Sequence, residues 1–307
     1  MDIELRGAGG EPVDLLRTFV SHGVADLPPL FVDARRPSLT VTLRLRRSVR
    51  TVVVAPGREG FAVVTVKRSE PPAEMRGEIE REIRRVLRLD EDLSEFYGMA
   101  ADDPMLSWVT RGAGRLIRSQ SVFEETVKTV CTTNCAWSAT EKMVGALVEH
   151  LGTRAPGAPA SGAAGRAFPT ARAMADAGEE FYRAVAKAGY RGAYLRALAE
   201  GVAAGDTDLE ELDRDASPAL PDDEVERRLL RLPGVGPYAA AHVMMMLGRY
   251  SRLVLDSWTR PKVASLLGRD TVPDAEIRGR FQPYGRYAGL AFWLFLTRDW
   301  VDEEGSA

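Results

Sequence analysis

A short turn between two helices constrains this chain more than any other stretch of its sequence. The turn is Leu232-Pro233-Gly234-Val235-Gly236, and Pro237 follows it. Two glycines around one apolar residue allow positive φ at two nearby points without a Cβ clash. Pro237 stands where a first helical residue belongs, because its missing N–H costs nothing there. The amides of such a turn, backed by a helix N-terminus, form a cradle for a phosphate. The alternative is a Schellman-type helix stop followed by a helix of the core.

One acidic residue follows the helix predicted from Tyr238 to Leu247. The apolar run Leu253-Val254-Leu255 leads directly to Asp256. We therefore expect this carboxylate to emerge from packed structure rather than from a solvated face. Asp256 can also serve as the N-cap of the next helix, predicted from Trp258, and the two roles are compatible.

The composition is that of a folded protein with room for two or three packed units. The chain has 307 residues, of which 45% are apolar. No apolar run approaches the roughly 18 residues that would span a membrane, and the charged N-terminus does not resemble a signal peptide. We expect a cytoplasmic protein. Two cysteines and three scattered histidines predict no zinc or iron–sulfur site.

Charge is distributed unevenly along the chain, although the net charge is only −3. Residues 1–88 carry 16 Lys and Arg against 12 Asp and Glu, whereas residues 89–307 carry 25 against 32. Ten carboxylates between Asp206 and Glu226 are accompanied only by Arg214, which is typical of a solvated face. The arginines of the first part (Arg44, Arg46, Arg47 and Arg50) suggest either a nucleic-acid patch or, more often, the wet face of a sheet.

The order of secondary-structure signals predicts an α+β fold. Residues 1–88 form a small antiparallel sheet module with helices: strands at Ile3–Leu5, Arg36–Arg47, Thr51–Ala55 and Phe61–Lys67, and helices at Val13–Val20 and Ala73–Leu87. Residues 89–307 form an all-helical body, because strand signals almost vanish and helical periodicity takes over. Residues 152–165, rich in Gly, Ala and Pro, are expected to form a flexible loop.

These features together resemble the helix-hairpin-helix (HhH-GPD) DNA glycosylase superfamily, whose hairpin reads L-P-G-(V/I)-G with a catalytic Asp about one helix later. The sheet module followed by a helical body resembles its alkyl-purine and 8-oxoguanine glycosylase branch. The passages 89–104 and 123–143 look like that branch's junction and first helix pair, so the resemblance covers nearly the whole chain. It implies a monomeric, nucleoid-associated base-excision repair enzyme that flips a base out of double-stranded DNA.

The resemblance also implies roles for individual residues. Asp256 would stabilise the sugar cation, and the hairpin from Leu232 to Gly236, with Tyr238, would bind the DNA backbone. Lyase-competent members carry a Lys two residues after the second hairpin glycine. Tyr238 occupies that place, so a monofunctional enzyme without AP-lyase activity is expected. Lys262 could substitute, but we expect it to point toward solvent. No cofactor is implied, apart from a possible monovalent cation at the hairpin.

Other implied roles concern the flipped base and the gap it leaves. Asn134, Tyr190 and Arg191 match residues that fill the gap and contact the orphaned partner base, although a turn Asn and a helix-start Tyr are equally good interpretations. Phe292, Leu296 and Trp137 would form the base pocket. An apolar pocket favours alkylated purines over 8-oxoguanine, but Phe292 can also be plain core. The rivals are therefore an 8-oxoguanine glycosylase and an inactive binder of distorted DNA.

Overall fold

The computed structural model describes residues 1–68 and 70–301. It contains five strands, β1 (Asp2–Glu4), β2 (Leu30–Asp33), β3 (Ser38–Arg44), β4 (Val49–Pro56) and β5 (Phe61–Val66). Its α-helices are α1 (Leu15–Phe19), α2 (Ala73–Val86), α3 (Ser94–Ala101), α4 (Val122–Thr132), α5 (Trp137–Leu151), α6 (Ala171–Ala175), α7 (Gly178–Glu180), α8 (Arg191–Ala204), α9 (Asp222–Leu229), α10 (Pro237–Met246), α11 (Thr259–Leu266), α12 (Asp274–Phe281) and α13 (Ala288–Thr297). A π-helical turn at Phe181–Val185 continues α7. The predicted α+β class is confirmed.

The strands form one antiparallel sheet in the order β1-β5-β4-β3-β2. The predicted strands are present, and β2 is an additional strand that the sequence analysis missed. Strand β3 pairs with β4 so that Val41 lies opposite Val52. Val41 and Leu43 are buried, as their alternation predicts. Thr42, expected on the wet face because it alternates with Val41 and Leu43, is buried as well. Its hydroxyl is satisfied across the strand pair, 3.0 Å from the Thr51 hydroxyl.

Helix α2 covers one face of the sheet. Its stripe of Ile79, Ile83 and Val86 is buried in one cluster with the inward residues of β3 and β4. Leu89 and Ile117 from the following segment belong to the same cluster. A boundary at residue 88 therefore stays a prediction, and the last six residues of the predicted second domain, 302–307, lie outside the described residues.

Arg44 departs from the expectation of a wet sheet face. Its guanidinium donates to Thr153 Oγ1 at 3.0 Å and to the Phe168 carbonyl at 3.1 Å. Partial burial lowers the pKa of Arg44. This side chain therefore ties the sheet to the helical body.

The helical body is built around α10, which is buried along Ala239–Met246. One side of α10 belongs to the apolar cluster of α4, α5 and α8, through Ala240 and Val243. The other side joins the cluster of α3, α12 and α13, through Ala241 and Met245. No helix in the described ranges is long and apolar enough to cross a membrane.

The segment 152–165 contains neither helix nor strand, in agreement with the loop prediction. An isolated antiparallel bridge between Arg154 and Arg166 closes it, and Glu149 accepts a hydrogen bond from the Gly162 amide at 2.6 Å. The loop is thus tied to the end of α5, while its flexibility stays a prediction.

The acidic stretch 206–226 is not a uniformly solvated face, because Asp213 is only 1% exposed. Its carboxylate accepts hydrogen bonds from Arg118 at 2.6 Å and from Arg85 at 2.8 Å. Burial alone would raise the pKa of Asp213, but these two guanidinium groups reverse the effect and hold it well below its usual range. Arg85 belongs to α2, so the pair joins the sheet module to the body.

We expect Asp213→Ala to lower the free energy of unfolding by about 3–5 kcal/mol, because it leaves the buried Arg118 with only the exposed Asp215, at 3.5 Å, as a carboxylate partner. Urea unfolding measures the change, and the exposed Asp206→Ala is the control.

A carboxyl with a depressed folded-state pKa stabilises the fold above its unfolded pKa and loses this effect as the pH falls. Wild-type stability should therefore decline below about pH 4 more steeply than that of Asp213→Asn. Equal stability of Asp213→Ala and Asp206→Ala would contradict this account.

Candidate active site

The predicted hairpin joins α9 to α10, but its two glycines have different roles. Gly234 has φ +78°, and a Cβ on it would meet the Tyr194 ring at 2.9 Å. Gly236 has φ −99°, so the expectation of positive φ at both points is wrong for it. A Cβ on Gly236 would meet no described atom within 4 Å. The fold therefore requires a glycine at 234 and does not require one at 236.

The hairpin ends where α10 begins, with Pro237 in the first turn, as expected. Val235 donates its amide to the Leu232 carbonyl at 3.2 Å, which closes the turn. The amides of Gly234 and Gly236 have no partner within the described part of the chain. Free amides beside a helix N-terminus are suited to an anion.

A cavity of about 720 Å³ opens in front of the hairpin. It brings together three groups of predicted site residues: the hairpin with Tyr238, the Asn134 and Tyr190 pair, and Asp256. Its lining consists of Thr132, Thr133, Asn134, Cys135, Tyr190, Tyr194, Gly234, Val235, Gly236, Pro237, Tyr238, Ala239, Leu255, Asp256 and Ser257. Asp256 is the one charged side chain in this lining, so an anion at the hairpin would be held here by amides rather than by Lys or Arg. Leu232 and Pro233 support the turn from outside the lining.

The two oxygen atoms of the Asp256 carboxylate lie in different environments. Oδ1 accepts hydrogen bonds from the amides of Trp258 at 2.8 Å and Thr259 at 2.7 Å. In return, the Asp256 amide donates to Thr259 Oγ1 at 2.8 Å. This reciprocal pattern is that of a capping box, so the N-cap role is present. Oδ2 has no hydrogen-bonding partner in residues 1–68 and 70–301, and the residue lines the cavity.

Tyr238 occupies the first turn of α10 with its ring half-buried. Its hydroxyl lies 3.3 Å from Thr132 Oγ1. Burial raises the pKa of Tyr238, and the nearby negative charge of Asp256 adds to this effect. Behind Tyr238, burial lowers the pKa of His242 to about 4, so this imidazole is neutral at neutral pH.

Asn134 and Tyr190 meet at the rim of the cavity. Asn134 adopts φ +46°, and its side-chain amide donates to the Tyr190 hydroxyl at 3.4 Å. Tyr190 is 55% exposed. Arg191 is only 7% exposed, and its Nε donates to the Thr133 carbonyl at 2.9 Å. Its guanidinium also lies 4.5 Å from the centre of the Tyr190 ring. Arg191 therefore supports the rim from behind and does not present its guanidinium to an orphaned base.

The three residues expected to form a base pocket do not line the cavity. Phe292 and Leu296 are 0% exposed in the core of α13, where Phe292 packs against Phe281 at a centroid distance of 5.3 Å. Trp137 is exposed at the start of α5, with its ring beside Gly23. The placement of Phe292 and Leu296 favours the alternative interpretation, plain core, over a base pocket.

Tyr194 and Thr132 are two of the eight lining residues that the sequence did not identify as site residues. Tyr194 lies one helical turn after Tyr190, with ring centroids 6.0 Å apart, and packs beneath Gly234. The spacing of four residues on a predicted helix was a usable signal. Thr132 had no such signal, because its partner Tyr238 is distant in sequence. Lys262 pairs with Asp299 at 2.6 Å on the surface, outside the cavity lining.

The capping bonds of Asp256 predict a difference between two substitutions. Asp256→Ala removes the acceptor at the start of α11 and should lower the free energy of unfolding by about 1 kcal/mol. Asp256→Asn keeps a side-chain oxygen that can accept from the same amides, so its stability should remain close to wild type. Thermal unfolding of both variants measures this, and equal losses would contradict the capping role.

Comparison with known proteins identifies the fold. Neither a family model nor a curated protein matches the sequence. The 3-methyladenine DNA glycosylase from Archaeoglobus fulgidus is similar in structure, with TM-score 0.75 and 22% identity over 98% of this chain and 100% of that chain. The Clostridium acetobutylicum 8-oxoguanine glycosylase/lyase in its apo form gives TM-score 0.71 and 20% identity over 96% and 98%. Its complex with double-stranded DNA containing cytosine opposite 8-oxoguanine gives 0.71 and 21% over 97% and 98%. This chain shares its fold with these DNA glycosylases, as the sequence resemblance predicts.

Proposed function

We propose that this protein is a DNA glycosylase that hydrolyses the N-glycosidic bond of a damaged purine in double-stranded DNA. One observation carries the proposal: a single cavity joins two hairpin amides to a carboxylate oxygen, and none of these three groups has a hydrogen-bonding partner among the described residues. The amides suit a backbone phosphate, and the carboxylate suits the positive charge that develops on the neighbouring sugar. The shared fold supports the same reaction class.

The hairpin supplies the anchor in this mechanism. The amides of Gly234 and Gly236, at the N-terminus of α10, would bind a phosphate near the lesion. Amide contacts position DNA without reading its sequence, which suits an enzyme that must search all sequences for damage. A monovalent cation at the hairpin, the absence of any other cofactor, and a monomeric state stay predictions.

Asn134 and Tyr190 would occupy the distorted duplex next to the flipped base. An exposed aromatic ring at the rim can enter the space that the base leaves in the stack. The Arg191 guanidinium and the Asn134 amide hold this ring from two sides. A pre-positioned ring loses less conformational entropy on binding than a free one.

The reaction is expected to stop at an intact abasic site. A lyase reaction needs an amine that forms a Schiff base with the sugar, and the place of that amine holds Tyr238. Lys262, the substitute considered from the sequence, pairs with Asp299. An alkylated purine stays the predicted substrate from the sequence, since no residue of α13 in the described ranges lines the cavity and tests the choice. 8-oxoguanine is the alternative on the same fold.

A panel of duplexes tests the proposed activity. We expect release of 3-methyladenine or hypoxanthine from double-stranded DNA, with strand breaks only after alkali treatment. Asp256→Asn should slow release by about 100-fold or more, because it removes the charge that stabilises the sugar cation, and should bind the duplex as wild type does. Release of 8-oxoguanine alone supports the alternative substrate. Strand breaks without alkali would contradict the monofunctional mechanism, and binding without any release would favour the inactive binder.

Alanine substitutions at the two hairpin glycines form a matched pair of variants that tests the contact with the DNA backbone. Gly236→Ala should leave the stability of the fold close to wild type, because its φ of −99° suits alanine while glycine is the better residue at the N-cap of α10. It should nevertheless weaken duplex binding, because the new methyl group occupies the approach of the phosphate. Gly234→Ala should destabilise the fold itself. Binding is measured by fluorescence anisotropy and stability by urea unfolding. Unchanged duplex affinity of Gly236→Ala would contradict the phosphate contact.

A further inference from the structure

The hydrogen bonds around Tyr238 define whether its hydroxyl donates or accepts in its contact with Thr132. Its partner, Thr132 Oγ1 at 3.3 Å, donates its own proton to the Thr129 carbonyl at 2.7 Å. A hydroxyl has one proton to donate and two lone pairs to accept with. Thr132 has therefore used its proton, and Tyr238 must be the donor in the bond between the two hydroxyls. The Tyr238 oxygen keeps lone pairs that can accept a hydrogen bond.

Asp256 presents a second acceptor in the same cavity. Its Oδ1 is occupied by the amides of Trp258 and Thr259, whereas Oδ2 has no partner in the described ranges. An ionised carboxylate accepts hydrogen bonds and donates none. Tyr238 and Asp256 therefore both bring acceptor oxygens to the lining of this cavity, which also holds the polar side chains of Thr132, Thr133, Asn134, Tyr190, Tyr194 and Ser257 and in which Asp256 is the one charged residue. One hydroxyl oxygen and one carboxylate oxygen, both from residues that line the same cavity, match the two protons of a water molecule.

We infer that the Tyr238 hydroxyl oxygen and Asp256 Oδ2 together hold the attacking water of the hydrolysis. This inference rests on the proposed function and assigns Tyr238 a catalytic contact in place of the DNA-backbone contact that the resemblance implied. Water that donates one proton to each acceptor directs its oxygen lone pair away from both, toward the sugar. Tyr238 remains protonated throughout, and its hydroxyl donates a hydrogen bond to Thr132 Oγ1.

The chemical step balances with water as the only co-reactant. The water oxygen forms a bond to C1′ of the sugar, and the C1′–N bond breaks with its electron pair leaving on the base. The proton that water loses passes to Asp256 Oδ2, which is the stronger base of the two acceptors. Tyr238 only accepts a hydrogen bond, so its contribution is orientation.

Tyr238→Phe tests the inference, because it removes the oxygen and keeps the ring. We expect single-turnover base release to slow by about 100-fold, at the low end for groups that act on a transferred proton, with unchanged duplex affinity. The matched control is Tyr182→Phe. Tyr182 is buried and donates its hydroxyl to the Met174 carbonyl at 2.6 Å, but it does not line the cavity. This control should release base at the wild-type rate.

Competition between water and methanol as nucleophiles distinguishes a role of Tyr238 in orienting the attacking water from a purely structural role. Methanol has one hydroxyl proton and can satisfy only one of the two acceptors, so the wild-type site should discriminate against it. Tyr238→Phe offers one acceptor, and discrimination should fall. In buffered methanol, mass spectrometry of the product strand should therefore show a higher ratio of methyl glycoside to abasic site for Tyr238→Phe than for wild type or Tyr182→Phe.

The outcomes distinguish the two levels of the argument. Slower release together with a higher methyl glycoside ratio supports the inference. If Tyr238→Phe releases base at the wild-type rate and gives the wild-type ratio of methyl glycoside to abasic site, the inference is overturned and the proposed function stands. Slower release with an unchanged ratio also overturns it, because that is the result of a purely structural role. No release by wild type from any duplex of the panel overturns the proposed function and this inference with it.

Discussion

The burial of α10 is the constraint on which the site depends. Residues Ala239–Met246 are enclosed between two apolar clusters, one formed with α4, α5 and α8 and the other with α3, α12 and α13. Small side chains such as Ala240 and Ala241 allow close approach on both sides. A helix held on all sides cannot shift without opening both cores. Its N-terminus, and with it the hairpin and Tyr238, therefore has a fixed direction into the cavity.

A few polar groups of the site make structural contacts that leave or orient another atom for the reaction. One oxygen of Asp256 satisfies the start of α11, which leaves the other for the reaction. The hydroxyl of Thr132 uses its proton within α4 and so determines the proton direction of Tyr238. The side chain of Arg191 is buried against the Thr133 carbonyl and supports Tyr190. In each case a structural contact positions a neighbouring functional atom, as pre-organised sites require.

The sequence predicted what is encoded locally. The hairpin and Asp256 were found because Gly, Pro and an apolar run mark them within a few residues. Features that depend on distant partners were missed or misplaced: the buried pair of Asp213 with Arg118, and Thr132 beneath Tyr238. Helix α13 is apolar on every face, so its periodicity could not show whether Phe292 points into a pocket or into the core.

The central claim is that one cavity holds a backbone phosphate at the hairpin while Asp256 faces the adjoining sugar. A crystal structure of the protein with a duplex that carries an uncleavable abasic-site analogue tests it most directly. The account predicts a phosphate oxygen within hydrogen-bonding distance, about 3 Å, of the Gly236 amide, with the analogue's sugar next to Asp256 Oδ2. A duplex bound to another face of the protein, with the cavity unoccupied, would contradict it.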